Sequence, residues 1–154
     1  MIYLKKAIYD DLVADTELVA LTGHTISIPK IFRGYPDSVS VYPCVAFWDE
    51  STINYQNDID ELQKTLVNFG IFVKSDDSAT YNSWATNGQL LCERIVQRLH
   101  NKFKIVNSQG DYNFDNDQVK TLSVSFQTRF PIRFEDDEDT YRCDITYFIN
   151  WYRK

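Results

Sequence analysis

Cysteine, glycine and histidine are scarce in this sequence, and no long apolar run occurs. Cys44, Cys92 and Cys143 are odd in number and far apart, with no CxxC pair, which argues against a disulfide framework or a zinc site. All three sit in apolar stretches, where a free cysteine behaves as a small buried hydrophobe. No apolar run reaches the ~18 residues of a membrane span. Charges interrupt every short window of "MIYLKKAIYDDL", so no secretory signal is expected. The chain reads as a soluble protein made in a reducing compartment, with no membrane partner. Basic clusters are also missing. The sixteen Lys and Arg residues are scattered and the net charge is −6, which does not suit a groove that grips phosphates. The densest basic group, Arg94, Arg98, His100, Lys102 and Lys104, falls at the end of a helix, where cations suit the dipole.

Catalytic signatures are absent too. There is no HExxH, no GxSxG and no Gly-rich loop opening a helix. His24 stands in a turn beside Gly23 and His100 at a helix end. No catalytic pair has local spacing that suggests joint action, so the expectation is a protein that is not an enzyme and needs no cofactor or metal.

What is present is the composition of a globular core. Hydrophobic residues make up 44% and aromatics 15% of 154 residues, the size of one domain. Ten Tyr and ten Phe against five Gly point to large packed sheet faces. Helical spacing of Ile2, Tyr3, Ala7, Ile8 and Leu12 predicts a helix over 2–13, with Lys5, Lys6, Asp10 and Asp11 facing water. Asp15 can cap a shorter helix, "DTELVALTG", with Leu18 and Leu21 inward and Gly23 as its stop. An irregular connector follows, with a short edge strand around Lys30–Arg33.

Pro43 opens a strand, "PCVAFWDESTINY", apolar on both faces at its start, as a central strand is. After the polar turn "QNDIDE", "LQKTLVNFGIFVKS" returns with Val67, Phe69, Ile71 and Val73 on one face. Gly70 in its interior marks a bulge or a close approach of the covering helix. The longest helix is expected over about 78–101. Its inward stripe is Tyr81, Trp84, Gly88, Leu91, Cys92, Ile95, Val96 and Leu99, and Gly88 suggests close helix–sheet contact. A polar stretch over 103–120, with a short strand at Lys104–Asn107, leads into a β-hairpin. Its first strand puts Leu122, Val124, Phe126, Phe130, Ile132 and Phe134 on one face, and Pro131 marks an edge. Its partner alternates Cys143, Ile145, Tyr147, Ile149 and Trp151 against Asp144, Thr146, Phe148 and Asn150. The predicted class is α+β: a mainly antiparallel, mixed sheet with two helices packed on one face and a long C-terminal hairpin, in one domain spanning 1–154.

Three polar loops suggest chemistry. The corner Ser75-Asp76-Asp77-Ser78 precedes a helix, where Asp77 or Ser78 can cap free N–H groups. "DYNFDNDQVKTL", residues 111–122, imitates a calcium loop through Asp111, Asn113 and Asp115. Its sixth position is Asn116, not Gly, and its twelfth is Leu122, not Glu, so it reads as a solvated turn. "EDDED", residues 135–139, puts five like charges at the hairpin tip, where repulsion works against a fixed conformation.

The order of segments resembles the tail terminator, or tail completion, proteins of long-tailed bacteriophages. An N-terminal helix leads into "DLVADTELVALTG", then "KIFRGYP", then the proline-started strand "YPCVAFW". The run "FGIFVKSDDSATYNSW" and the long helix "ATNGQLLCERIVQRL" follow, so the likeness covers about residues 3–100. The resemblance implies a virion assembly protein without catalytic activity. Such proteins form a ring, usually of six subunits, at the head-proximal end of the tail. The ring ends polymerisation of the tail tube protein and presents the surface that meets the neck or head completion protein. DNA passes through the lumen without specific binding. A chain of this kind is made in the host cytoplasm and ends in the virion.

On this reading the candidate lumen or docking residues are Asp58, Asp60 and Glu61 in one tip and Glu135, Asp136, Asp137, Glu138 and Asp139 in the other. An acidic lumen does not trap DNA as a basic one would. Phe148 and Tyr152, on the hairpin's second face, are the candidate subunit interface. Two alternatives remain: another neck connector of similar fold, or a non-catalytic protein-binding module that takes calcium through 111–122.

Overall fold

The computed structural model describes residues 2–34, 41–54, 62–76, 88–104 and 116–154. Helices α1 (Ile2–Ala14) and α2 (Thr16–Thr22) precede the short strand β1 (Ile31–Arg33). Strands β2 (Cys44–Asn54) and β3 (Leu62–Lys74) come next, followed by α3 (Gly88–Lys104). The chain ends with β4 (Val119–Arg129), β5 (Arg133–Glu135), a 3₁₀ turn at Asp136–Glu138 and β6 (Thr140–Arg153). The strands form one six-stranded sheet in the order β1-β2-β3-β6-β4, with β5 also on β6. Among the described residues only the β1–β2 pair is parallel. The fold is α+β, with α1 and α3 packed on one face of the sheet and α2 packed against both helices.

The helix side holds the main core. Val67, Phe69, Ile71 and Val73 of β3 and Cys143, Ile145, Tyr147, Ile149 and Trp151 of β6 are all buried there. Leu4, Ala7, Ile8 and Leu12 of α1 and Leu91, Cys92, Ile95, Val96 and Leu99 of α3 cover them. Aromatic rings fill the middle: Phe69 lies 5.0 Å from Phe103, which lies 4.8 Å from Tyr147. In α1 the inward stripe starts at Leu4, and Ile2, expected in it, is 72% exposed. The opposite face carries a smaller cluster of Cys44, Ala46 and Phe72.

Two glycines are fixed by crowding. A Cβ on Gly88 would sit 1.9 Å from the Lys74 carbonyl oxygen, and the Gly88 N–H bonds the Ser75 carbonyl at 3.1 Å. The first described turn of α3 therefore rests on the end of β3, the close helix–sheet contact that Gly88 suggested. Gly70 points the other way. A Cβ there would meet the Phe72 ring at 2.8 Å and Trp48 at 3.1 Å, so rings on the second face crowd it, not the covering helix. The register of β3 is unbroken at Gly70; the bulge lies in β2, between Asp49 and Ser51.

The expected single face of the hairpin strand also fails. Register shifts at Thr121/Ser123 and Phe126/Thr128 break the period of two, so Val124 is buried while Leu122 is 51% exposed. Lys104 belongs to α3, not to a strand. The turn at 55–61, the helix start with Tyr81 and Trp84, Asp77 and Ser78 of the corner, and the calcium-like positions 111–115 lie outside the described residues.

Candidate assembly surfaces

The acidic tip is built by the β5–β6 hairpin. Three acids form the 3₁₀ turn, and Asp139 closes it in the left-handed region at φ 52°. Aspartate tolerates that conformation better than most side chains. The tip is not a free-standing loop. The Ser75 N–H donates to the Asp139 carbonyl at 3.1 Å, the Lys74 ammonium donates to the Glu138 carbonyl, and Thr140 Oγ1 donates to that carbonyl at 2.9 Å. The backbone is thus tied to the end of β3, against the repulsion of the acids.

The five acids divide by environment. Glu135 turns back to Arg133 at 3.2 Å and to Arg142 at 3.8 Å, and both arginines also meet Asp144. Asp136, Asp137 and Glu138 are exposed, and among the described residues none of their carboxylates forms an ion pair. Together with Glu135 they border a shallow hollow of about 430 Å³. Among the described residues no group of three or more His, Cys, Asp or Glu is placed to hold a metal ion. Asp58, Asp60 and Glu61 lie outside the described residues. Asn116, the sixth position of the calcium-like loop, accepts the Gln118 and Val119 N–H groups at 2.8 Å through Oδ1 and so closes a turn before β4.

The proposed interface residues are half-buried, not prominent. β6 is an interior strand, so Phe148 has Leu66 on one side and Ser125 on the other, and Tyr152 has Leu62 and Lys120. The Lys64 ammonium sits 4.2 Å above the Phe148 ring. Larger apolar exposure on the sheet itself lies along its edge, at Leu122 (51%), Phe126 (48%), Phe130 (50%) and Phe134 (44%). Pro131 was the one local sign that this strand is an edge. Beside it, on the face without helices, an open groove of about 410 Å³ runs between Trp48, Leu66, Asn68, Phe130 and Asp144.

The basic group at the end of α3 serves the fold. Arg98 donates to both oxygens of Asp15 at 2.8–3.1 Å and reaches Glu17 at 2.9 Å. Lys102 meets Asp11 at 3.0 Å and Asp15 at 3.2 Å. Asp15 also caps α2 by accepting the Leu18 N–H at 2.9 Å. Burial alone would raise its pKa; the Arg98 hydrogen bonds, the Leu18 N–H and Lys102 outweigh this and hold it below the usual carboxylate value. His100 lies 3.2 Å from the Tyr147 hydroxyl through Nδ1. Arg98 and Lys102 thus face acids of the same chain, not a groove for phosphates. The thiols are equally committed to the core: burial pushes Cys92 up to about 12 and raises Cys143 as well.

No protein-family model matches the chain, and no curated protein matches it. Among solved structures, the chain is similar to one from the virion of a native gene transfer agent particle. The TM-score is 0.66 at 11% identity, over 97% of this chain and 94% of that one. At that identity the likeness shows a shared fold, and it spans nearly all of both chains.

Proposed function

We propose that this chain is a structural protein of a phage-like particle and, within that class, a tail terminator. Copies of it close into a ring on the head-proximal end of the tail tube, stop tube growth and present the surface that joins the neck. The role needs no catalysis and no cofactor. DNA crosses the ring without specific contacts, in keeping with a net charge of −6 and α3 cations already engaged by acids of the chain.

The observation that carries this reading is the fold shared end to end with a chain of a gene transfer agent virion, at 97% and 94% coverage. The order of segments up to about residue 100 supports the finer role. The apolar edge of β4 and β5 supports self-association, since a monomer seldom keeps such rings in water without use. The acidic tips, including Asp58, Asp60 and Glu61, supply lumen or docking surfaces.

The test mixes the purified chain with tail-tube subunits of the same particle and images the products. The expected result is tubes of fixed length, each with a ring at one end. Tubes that lengthen without limit, with the chain bound only at the head side, would assign it to another neck connector. Tubes that grow unchanged with no bound chain would end the virion reading.

A further inference from the structure

The connector between α2 and β1 is held through a single ring atom. Gly23 ends α2 in the left-handed region, and residues 25–29 beyond it are all exposed. Thr25 closes a turn among them: its N–H donates to the Ile28 carbonyl at 3.1 Å, and its Oγ1 accepts the Ile28 N–H at 2.9 Å. Packing does little to anchor this turn. The anchor is His24, whose Nδ1 accepts the Lys30 N–H at 3.0 Å and the Ile31 N–H at 3.2 Å. Those two residues lead into β1, a strand of three residues of which Ile31 alone is buried. β1 in turn covers the start of β2. The Lys30 carbonyl accepts the Val45 N–H at 2.9 Å, and at the far end the Gly34 N–H donates to the Phe47 carbonyl at 2.7 Å. A ring nitrogen that accepts carries no proton, so the proton of the neutral imidazole is on Nε2. Both N–H groups share the one lone pair of Nδ1. Protonation fills that lone pair, turns the acceptor into a donor and sets it against two donors.

We infer that His24 is an acid-sensitive latch for β1: when its imidazole is protonated, residues 24–33 come away from β2 while the rest of the sheet stays folded. The latch does not depend on the ring reading. The groups around the imidazole favour its neutral form. From α1 the Tyr9 ring meets it edge-on at 6.4 Å, and Arg33 of β1 lies over that Tyr9 ring at 5.0 Å. The Lys30 ammonium lies beside Gly23, 3.7 Å from where a Cβ would stand, and donates to the Tyr42 carbonyl. Both of these charges are positive. The acids of α1 and α2 are engaged elsewhere: Asp10 meets Lys6, Asp11 meets Lys102, Asp15 meets Arg98 and Lys102, and Glu17 meets Arg98. Burial acts in the same sense and lowers the pKa of His24 from 6.5. The latch is therefore fully closed above 6.5 and loosens as pH falls through the lower folded value. Release frees the Val45 N–H and the Phe47 carbonyl, and a bare strand edge of this kind is a template for another strand.

Amide hydrogen exchange of the whole chain, read residue by residue by NMR and corrected for intrinsic rates, tests the latch. At pH 8 the amides of Ile31, Gly34 and Val45 should open about tenfold or more above those of Ile71 and Ile145 in the interior strands, which marks opening of β1 alone. The opening constants of Ile31, Gly34 and Val45 should grow about fivefold between pH 8 and pH 5. His24→Asn offers an acceptor that does not titrate, so in this variant the growth should vanish. Nitrogen shifts of the wild-type ring should show Nδ1 without a proton at pH 8 and a titration midpoint below 6.5. Equal opening of β1 and interior amides would overturn the inference, because β1 would then leave only with the whole fold. Opening that ignores pH in the wild type, or that stays acid-dependent in His24→Asn, would overturn it as well. Should the variant fail to fold, the wild-type measurements decide: a ring protonated on Nδ1 at pH 8 refutes the latch.

Discussion

Asp15 joins three pieces of the molecule through one carboxylate. It caps α2, takes the Arg98 guanidinium in a two-pronged contact and meets Lys102, with its side chain 1% exposed. Asp15→Asn keeps a good cap but removes the charge that α3 binds. Hydrogen bonds to charged groups contribute about 1.5–3 kcal/mol each, so a loss of about 2 kcal/mol is expected in urea unfolding near neutral pH. The sign of the pH dependence follows from the depressed pKa. The contribution is complete above the ordinary value of 3.8 and is lost as pH falls through the lower folded value. Wild type and variant should therefore converge in acid; a gap that persists at low pH would refute the assignment. His24 works at higher pH. Its Nδ1 accepts the Lys30 N–H at 3.0 Å and the Ile31 N–H at 3.2 Å, and burial lowers its pKa from 6.5. Stability tied to this group is complete above 6.5 and declines as pH falls through the folded value. His24→Asn, which keeps an acceptor, should remove that decline, whereas His24→Ala should cost about 1–3 kcal/mol by leaving both N–H groups without it. Unfolding curves from pH 8 to pH 5 would check both.

Between elements, the two crowded glycines separate a hard contact from a soft one. Alanine at Gly88 gains helix propensity of about 1 kcal/mol. It also drives a methyl into the Lys74 carbonyl, 1.9 Å away, and backbone on both sides cannot yield without moving α3 off the sheet. Gly88→Ala should be net destabilising by about 3 kcal/mol or more, at or beyond the upper end for overpacking. Gly70→Ala meets only the rings of Phe72 and Trp48, which can turn, so about 1 kcal/mol is expected. Equal costs in thermal melts would contradict this ordering. The same contrast explains what the sequence makes legible. Period-two alternation over Val67–Val73 and Cys143–Trp151 identifies interior strands because their registers run unbroken. Asp15 and Gly23 mark α2 because caps act locally, with Gly23 at φ 68°. The bulges of β4 have no such local mark, so simple alternation gives Leu122 the face of Val124, whereas Val124 is buried and Leu122 exposed. The half-buried setting of Phe148 has no local mark either: its neighbours are Leu66 and Ser125, and only the strand order brings those beside it. Of the candidate surfaces, the acidic tip at 135–139 could be located from sequence, since a charge run between two strands has few other places to go. The exposed edge at Phe126, Phe130 and Phe134 needed the sheet order.

At the scale of the whole molecule, five acids are gathered on one tethered tip. Three of them, Asp136, Asp137 and Glu138, are exposed and form no ion pair among the described residues, whereas Glu135 meets Arg133 and Arg142. Like charges in adjacent positions oppose folding, so this arrangement is not explained by stability. The variant Asp136→Asn/Asp137→Asn/Glu138→Gln leaves the Glu135 contacts and the left-handed Asp139 in place. It should melt no lower than wild type, and slightly higher at low salt, where repulsion is least screened. If the tip meets a basic partner surface, the variant should still form rings on tail tubes but join heads poorly, and added salt should weaken joining by wild type far more than by the variant. If the tip lines the lumen instead, joining should proceed normally and DNA passage should slow, because neutral walls repel a polyanion less. Particle counts by electron microscopy report joining, and the yield of infectious or DNA-transferring particles reports passage. Normal values for both would assign the tip a purely solvating role at the end of β3 and leave the exposed β4 edge as the surface on which assembly depends.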